Sequence, residues 1–387
     1  MRSIRDIRLL ADIPVLVRAA LNVPVENESV VNDYRLRRAL PTIQYLKERG
    51  AKVVLIGHIG EQGTETLAPV ARALGKLVPD VSFFPETIGA GARAAIRSLH
   101  PGQVLVLENL RRDRREKEND SAFARELATL ADIFVEDSFD TCHRVHASIV
   151  GLPKLLPSYA GLLLEEEARV LLQARAPEHP AFAVIGGAKF NTKEAVLTTL
   201  LSSYDHLFIG GALAHDFLKA SGKEVGKSLV SGADEQTIKN ILASPKIVLP
   251  VDALVIPAGA MGSMDARAEA RIASVDDVRS DEVILDHGPA TVALLKELAQ
   301  KAKVILWNGP LGNYENGFIE ATDALARAIA ASGAYSVVGG GDTVASIQNL
   351  GLLSRFSFVS TGGGAMLDFI GNGTLPGIEA LNNQPSA

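Results

Sequence analysis

The stretch SVVGGGDTVASI, Ser336–Ile347, carries the reading of the fold. A short apolar run stops at three consecutive glycines, and an Asp, a Thr and a helical pattern follow. Glycine at such a corner permits positive φ and lets backbone approach a ligand closely. A helix starting just beyond it points free N–H groups and the positive end of its dipole at whatever lies there. Gly340, Gly341, Asp342 and Thr343 can therefore cradle phosphate oxygens, and Asp342 can hold a metal ion that bridges them. A tight strand-to-helix turn is the plainer explanation of one such corner taken alone.

The same punctuation recurs. FAVIGGAK (182–189), HLFIGGALA (206–214), VILWNGPLG (304–312) and FVSTGGGAM (358–366) each read as strand, glycine turn, helix. The second triplet, Gly362, Gly363 and Gly364, strengthens the phosphate reading. Five corners in one half predict a single sheet with glycines gathered at the carboxyl ends of its strands. Ligands in open α/β sheets bind at that edge. In GGAKFNTKEAV (186–196), Lys189 and Lys193 stand four apart and share one face if the helix begins there. Two ammonium groups beside a glycine turn suit a polyphosphate.

In the first half PVLVRAAL (14–21), KVVLIG (52–57), QVLVLENL (103–110) and DIFVED (132–137) alternate with helical stretches such as RLRRALPTIQYLKERG (35–50). That alternation predicts a parallel α/β sheet. These strands end in polar groups instead of glycines. NVPV (22–25) follows the first, His58 the second, Arg111 the third, and His143, Arg144 and His146 the fourth, while Arg35 opens the first clear helix. In one parallel sheet these groups converge at one rim. Arginine there suits phosphate or carboxylate, which it grips with two hydrogen bonds. The run RRDRREKEND (111–120) reads mainly as a solvated face.

With 387 residues, 47% of them hydrophobic and 22% charged, the chain can build two or three domains with large cores. A net charge of −6 and a pI near 5.8 argue against a nucleic-acid binder. The single cysteine, Cys142, excludes an intrachain disulfide and fits a reducing compartment. The start, MRSIRDIRLLADIP, lacks a signal-peptide apolar core, and no uncharged apolar run reaches the roughly 18 residues of a spanning helix. A soluble, cytoplasmic protein without a membrane partner is expected. AGLLLEEEARVLLQARAPEHP (160–180) fits a long helix linking the halves, through Leu162, Leu163, Glu166, Arg169 and Leu172.

Three weaker signals are set aside. GKEVGKS (222–228) has one residue too few for a Walker A loop, PET interrupts any strand leading into GAGARA (89–94), and Cys142, His143 and His146 lack a second ligand cluster. What remains is a glycine-rich polyphosphate half and a cationic half. That is the layout of a two-domain kinase whose halves close to exclude water.

Read in order, VLVRAALNVP, RLRRALPTI, LENLR, DTCHRVHAS, GGAKFNTK, WNGPLGNYE, GGGDT, STGGGA and LPGIEAL resemble the motifs of the phosphoglycerate kinase family across nearly the whole chain. The resemblance implies an α/β protein of two Rossmann-like three-layer domains with mainly parallel sheets, joined by a hinge helix. It implies an acceptor domain over 1–160, a linking helix over 161–178 and a nucleotide domain over 179–368. A segment over 369–387 would return to the first domain. The implied reaction is reversible, magnesium-dependent phosphoryl transfer between ATP and the carboxylate of 3-phosphoglycerate, giving 1,3-bisphosphoglycerate and ADP.

Carried over by position, Asn22, Arg35, His58, Arg111 and Arg144 would bind the acceptor. Gly187, Lys189, Lys193, Gly210, Gly211, Asn308, Pro310, Glu315, Gly339, Gly340, Gly341, Asp342 and Thr343 would bind the nucleotide. Glu315 would take the ribose and Asp342 the Mg2+-bound phosphates. Arg35, Lys189 and the N–H groups at Gly362, Gly363 and Gly364 would stabilise the transferring phosphoryl group. Small-molecule substrates and a monomeric state are implied too. No catalytic base is needed, because a carboxylate with a pKa near 4 is already ionised at neutral pH.

The chain departs from the family's usual pattern in two places on the acceptor side. Where the family reads VDFN this chain has AALN, with Ala20 at the acidic position. Where it reads HLGRP this chain has HIGEQ, with Glu61 at the arginine. Glu136, Asp140 and Ala212 are smaller departures, from Asn, Gly and Gly. Weaker acceptor binding is expected from the first two. Two alternatives follow: a related kinase for another small carboxylate, or a nucleotide-binding paralogue with little catalysis.

Overall fold

Continuous apolar runs set the two main sheets. The computed structural model describes residues 1–188, 190, 193–263 and 267–384. The chain divides into two compact units, Met1–Arg169 with Thr374–Ala387, and Val170–Gly373.

The first unit contains β1 (Pro14–Ala19), the small hairpin β2 (Val25–Glu26) and β3 (Ser29–Val30), β4 (Lys52–Ile56), β5 (Val81–Phe84), β6 (Val104–Leu107), β7 (Ile133–Asp137) and β8 (Ser158–Ala160). Its helices are α1 (Tyr34–Glu48), α2 (Ala68–Gly75), α3 (Ala90–Arg97) and α4 (Ser121–Ala128). Six strands form one parallel sheet in the order β5-β6-β4-β1-β7-β8. Both faces of β1 are covered, which is why its residues 15–17 are all apolar. Val15 and Val17 pack with Leu36 and Ile43 of α1 and Leu74 of α2, while Leu16 packs with Ile96 of α3 and Phe123 of α4. Each such side chain contributes roughly 1.5–3 kcal/mol by leaving water.

Helix α5 (Leu162–Arg175) carries the chain across the division between the units. Its start is fixed by Asp137 at the end of β7, whose Oδ1 accepts from the N–H groups of Leu163 (3.0 Å) and Leu164 (3.2 Å).

The second unit contains β9 (Ala181–Ile185), α6 (Glu194–Ser203), β10 (His206–Ile209), α7 (Leu213–Ala220), α8 (Glu235–Leu242) and β11 (Ile247–Val248). Next come β12 (Asp252–Pro257), β13 (Arg271–Ser274), β14 (Glu282–His287), α9 (Pro289–Lys301), β15 (Val304–Asn308) and α10 (Glu320–Ser332). Last are β16 (Tyr335–Gly339), α11 (Gly341–Asn349), β17 (Phe358–Val359) and α12 (Gly363–Asn372). The parallel sheet runs β11-β10-β9-β15-β16-β17. All five predicted glycine corners therefore lie at the carboxyl edge of one sheet. A separate antiparallel sheet, β13-β12-β14, packs Val255 and Ile284 against Leu218 of α7.

Two local expectations change. The corner after β15 leads into a single 3-10 turn at Tyr314–Asn316 before α10 begins. Helix α6 starts at Glu194, so Lys193, with φ −123°, is its N-cap residue and lies outside the helix. Beyond α12, helix α13 (Pro376–Asn382) belongs to the first unit, where the Gly377 N–H donates to the Cys142 carbonyl at 2.9 Å.

Candidate active site

In the second unit the glycine corners interlock. Gly340 has φ +103° and precedes α11 as its N-cap residue. A Cβ on Gly363, at the start of α12, would lie 3.1 Å from the Gly340 Cα, so two helix N-termini open side by side. Thr343 Oγ1 accepts from the Gly309 N–H (3.1 Å), and Asn308 Nδ2 donates to the Gly363 carbonyl (3.1 Å). The Gly187 N–H donates to the Pro310 carbonyl (3.2 Å). A Cβ on Gly211 would meet the Gly187 nitrogen at 2.6 Å. Neighbouring corners thus touch, through close backbone at Gly187, Gly211, Gly340 and Gly363 and through the side chains of Thr343 and Asn308.

Not every glycine serves the same end. Side chains at Gly339 and Gly210 would come within 2.4 and 2.6 Å of Met366 Sδ and Leu311 Cδ2, side-chain ends that would have to shift to make room. A Cβ on Gly341 would meet nothing within 4 Å. The space beside Gly341 is open.

A cavity of about 740 Å³ adjoins these corners. Gly187, Gly211, Pro310, Glu315 and Asp342 line its polar part, and Leu229, Met261, Leu285 and Leu311 supply apolar wall. Lys193 is buried, and a Cβ on Gly187 would lie 3.0 Å from its ammonium. Gly364 is the second residue of α12, and Gly362 is the residue before it. Lys189 lies outside the described residues.

Burial first, and then the negative charge of Glu315, raises the Asp342 carboxyl above its ordinary value. A divalent cation beside it would relieve both effects. Magnesium takes one or two carboxylates and completes its shell with phosphate oxygens and water, so these residues fit it. Among the described residues no group of three His, Cys, Asp or Glu could hold a metal ion unaided.

Two residues unforeseen in the sequence support this site. His287 Nε2 accepts from the Gly211 N–H at 3.2 Å, and its ring meets Phe208 edge-on at 5.6 Å. Burial lowers this imidazole to about 3, which keeps Nε2 an acceptor. Asp286 accepts from the N–H groups of His287 (2.8 Å) and Ala321 (3.1 Å) and is raised by burial to about 7. Both close β14, in the sheet that was not anticipated.

In the first unit the polar strand ends gather at one rim. Asn22 Oδ1 accepts from the Gly60 N–H (3.1 Å), and the Asn22 carbonyl accepts from Arg35 Nη1 (2.6 Å). Arg111 Nη1 donates to the Gly60 carbonyl (2.6 Å). Burial first, then Arg18, Arg111 and Arg35, hold the His58 imidazole well below its usual range, so it is neutral. His146 is lowered to about 4, by burial and then by Arg18, Arg111 and Arg144. Asn22, Arg35, His58 and Arg111 are thereby brought together, and exposed Arg144 joins them through its field at His146.

Arg18 is the group that reading by strand ends misses. It sits inside β1, 1% exposed, and donates to Ser148 Oγ (2.9 Å) and to Thr141 Oγ1. Ser148 in turn donates to buried Glu116 (2.6 Å). The visible signal was a lone arginine in an otherwise apolar run. Cys142 is buried, and burial drives its thiol well above the ordinary value.

Two parallel α/β units, one with a glycine-lined anion cradle and the other with an arginine-rich rim, define a phosphotransferase of the two-domain kinase type. The model of one family, described as Phosphoglycerate kinase, matches residues 4–372. The phosphoglycerate kinase of Azorhizobium caulinodans is 44% identical over 96% of this chain and 97% of its own length. That of Zymomonas mobilis is 43% identical over 98% and 99%. Among solved structures, phosphoglycerate kinase from Coxiella burnetii superposes with a TM-score of 0.80 at 38% identity, covering 98% of both chains. The Pyrococcus horikoshii enzyme gives 0.85 at 31% identity, covering 99% of this chain and 98% of its own. The chain belongs to the phosphoglycerate kinase family.

Proposed function

We propose that the chain catalyses reversible phosphoryl transfer between Mg-ATP and the carboxylate of 3-phosphoglycerate, as a cytoplasmic monomer. The observation that carries this reading is the row of interlocked glycine corners, with Asp342 and Glu315 facing one cavity beside them. The second unit takes the nucleotide: its phosphates lie against the N-termini of α11 and α12, and its base enters the apolar part of the cavity. Glu315 takes the ribose. Gly210 and Gly339 keep the corners close, and Asn308, Pro310 and Thr343 lock them to one another. Asp342 holds the magnesium ion, which neutralises phosphate charge when bound.

The first unit takes the acceptor on Asn22, Arg35, His58, Arg111 and Arg144. Its carboxylate is ionised at neutral pH, so no side chain has to remove a proton. Catalysis reduces to alignment and charge stabilisation. Arg35, Lys189 and the N–H groups of Gly362, Gly363 and Gly364 stabilise the transferring group. The acceptor residues belong to one unit and the nucleotide residues to the other, so transfer draws on both.

A coupled assay with Mg-ATP and 3-phosphoglycerate tests the reading. Lys189→Ala should lower turnover by about 100-fold or more, the scale of losing one transition-state donor, and leave most nucleotide affinity in place. Nucleotide binding without turnover of 3-phosphoglycerate by the native chain would overturn the acceptor assignment.

A further inference from the structure

An internal carboxylate already sits on one of the acceptor-side arginines. Arg111 has a side chain only 8% exposed, and its Nη1 lies 3.2 Å from Glu61 Oε2. Glu61 itself is 79% exposed. The loop that carries it is held in place by its neighbours. Gly60 and Gly63 have φ of +68° and +77°, and a Cβ on Gly63 would strike the Arg111 carbonyl. The Gly60 carbonyl accepts from Arg111 and the Glu61 carbonyl from Lys117. The backbone path therefore aims the Glu61 side chain at the guanidinium, from the solvent side.

Asp140 stands in a similar relation to Arg35, 4.0 Å from its Nη1. It differs in exposure: Asp140 is largely buried and accepts from Ser138 Oγ, whereas Glu61 faces water. An ionised carboxylate that swings into water loses little, so Glu61 is the displaceable one of the two.

We propose that Glu61 is an intramolecular counter-anion that competes with the acceptor for Arg111, and so sets both acceptor affinity and the charge the site prefers. The inference rests on the acceptor role proposed above for Arg111. Acceptor binding is coupled to release of Glu61, and an acceptor of high negative charge gains most when that carboxylate is removed. The proposed role of Glu61 runs through Arg111 alone, so it acts on affinity and not on the chemical step.

The test uses the full chain, Glu61→Gln and Glu61→Asp. Binding of 3-phosphoglycerate and of unphosphorylated glycerate is followed by NMR titration at low and high salt, beside steady-state kinetics. Glu61→Gln should tighten 3-phosphoglycerate by about two- to fivefold, the scale of one exposed ion pair. The gain for glycerate should be smaller, and both gains should shrink in high salt. Glu61→Asp should stay near the native affinity. The KM for the acceptor should fall while kcat and the KM for ATP hold. Equal or weaker binding by Glu61→Gln overturns the inference and leaves the acceptor reading standing, as does an equal gain for both ligands. No 3-phosphoglycerate binding by any of the three proteins overturns both.

Discussion

Replacing Gly341 with alanine separates a glycine the ligand needs from one the fold needs. The added methyl group meets no atom within 4 Å, and Gly341 is the first residue of α11, without positive φ. Gly→Ala at a compatible site stabilises by about 0.4–1 kcal/mol, chiefly by restricting the unfolded chain. For a domain of this size that raises the melting temperature by roughly 1–4 °C. The same methyl projects into the space assigned to nucleotide phosphate. Displacing one charge-assisted hydrogen bond costs about 1.5–3 kcal/mol, which is roughly 10- to 100-fold in affinity. Gly340→Ala is the contrast. Its φ of +103° lies outside the range of L residues, and a Cβ there would sit 3.3 Å from the Gly309 nitrogen. Backbone strain of about 1–3 kcal/mol should lower the ligand-free melting temperature by roughly 2–12 °C. Calorimetric melting without ligand, beside titration with Mg-ADP, reads both effects. If Gly341→Ala binds Mg-ADP as the native chain does, phosphate does not approach this backbone and the cradle is misplaced.

Two more outcomes follow from buried groups. Trp307 is the only tryptophan, fully buried at the end of β15, with its Nε1–H donating to the Gly309 carbonyl at 2.9 Å. Saturating Mg-ADP should therefore change intrinsic fluorescence, and an unchanged spectrum under conditions where calorimetry shows binding would contradict the proposed nucleotide position. Glu136 is buried with no hydrogen-bond partner for Oε2, and burial raises it from 4.5 to about 8. Its raised pKa means the fold favours the protonated form, so this contribution is full below about 4.5 and is lost as pH climbs towards 8. Glu136→Gln should show a smaller fall in melting temperature between pH 5 and 8 than the native chain, and an equal fall would refute the assignment.

Much of the architecture was written in local pattern. Parallel strands buried on both faces read as unbroken apolar runs, and glycines marked where each strand of the second sheet turned. The antiparallel sheet was not readable in the same way. Its middle strand is apolar, but β13 is only RIAS, with Ile272 half exposed, and β14 is bracketed by Glu282 and His287. His287 and Asp286 were missed with it. On the acceptor rim, Asn22, His58 and Arg111 were visible as polar residues at strand ends. The contact between Glu61 and Arg111 was not, because it depends on the loop path set by Gly60 and Gly63. Arg18 was hidden by its apolar neighbours, and the start of α6 at Glu194, one residue beyond Lys193, was not marked by any capping residue in the sequence.

Helix α13 gives the chain an order of assembly. Residues of the second unit are contiguous, from Val170 to Gly373, so on the ribosome that unit is complete before the segment beyond it has been made. The first unit is interrupted. Leu375, Ile378 and Leu381 are buried, and Gly377 packs against Cys142 and Ile149. Until those residues emerge, the half synthesised first is left with an apolar seam open, and the half synthesised second is the first that can finish folding.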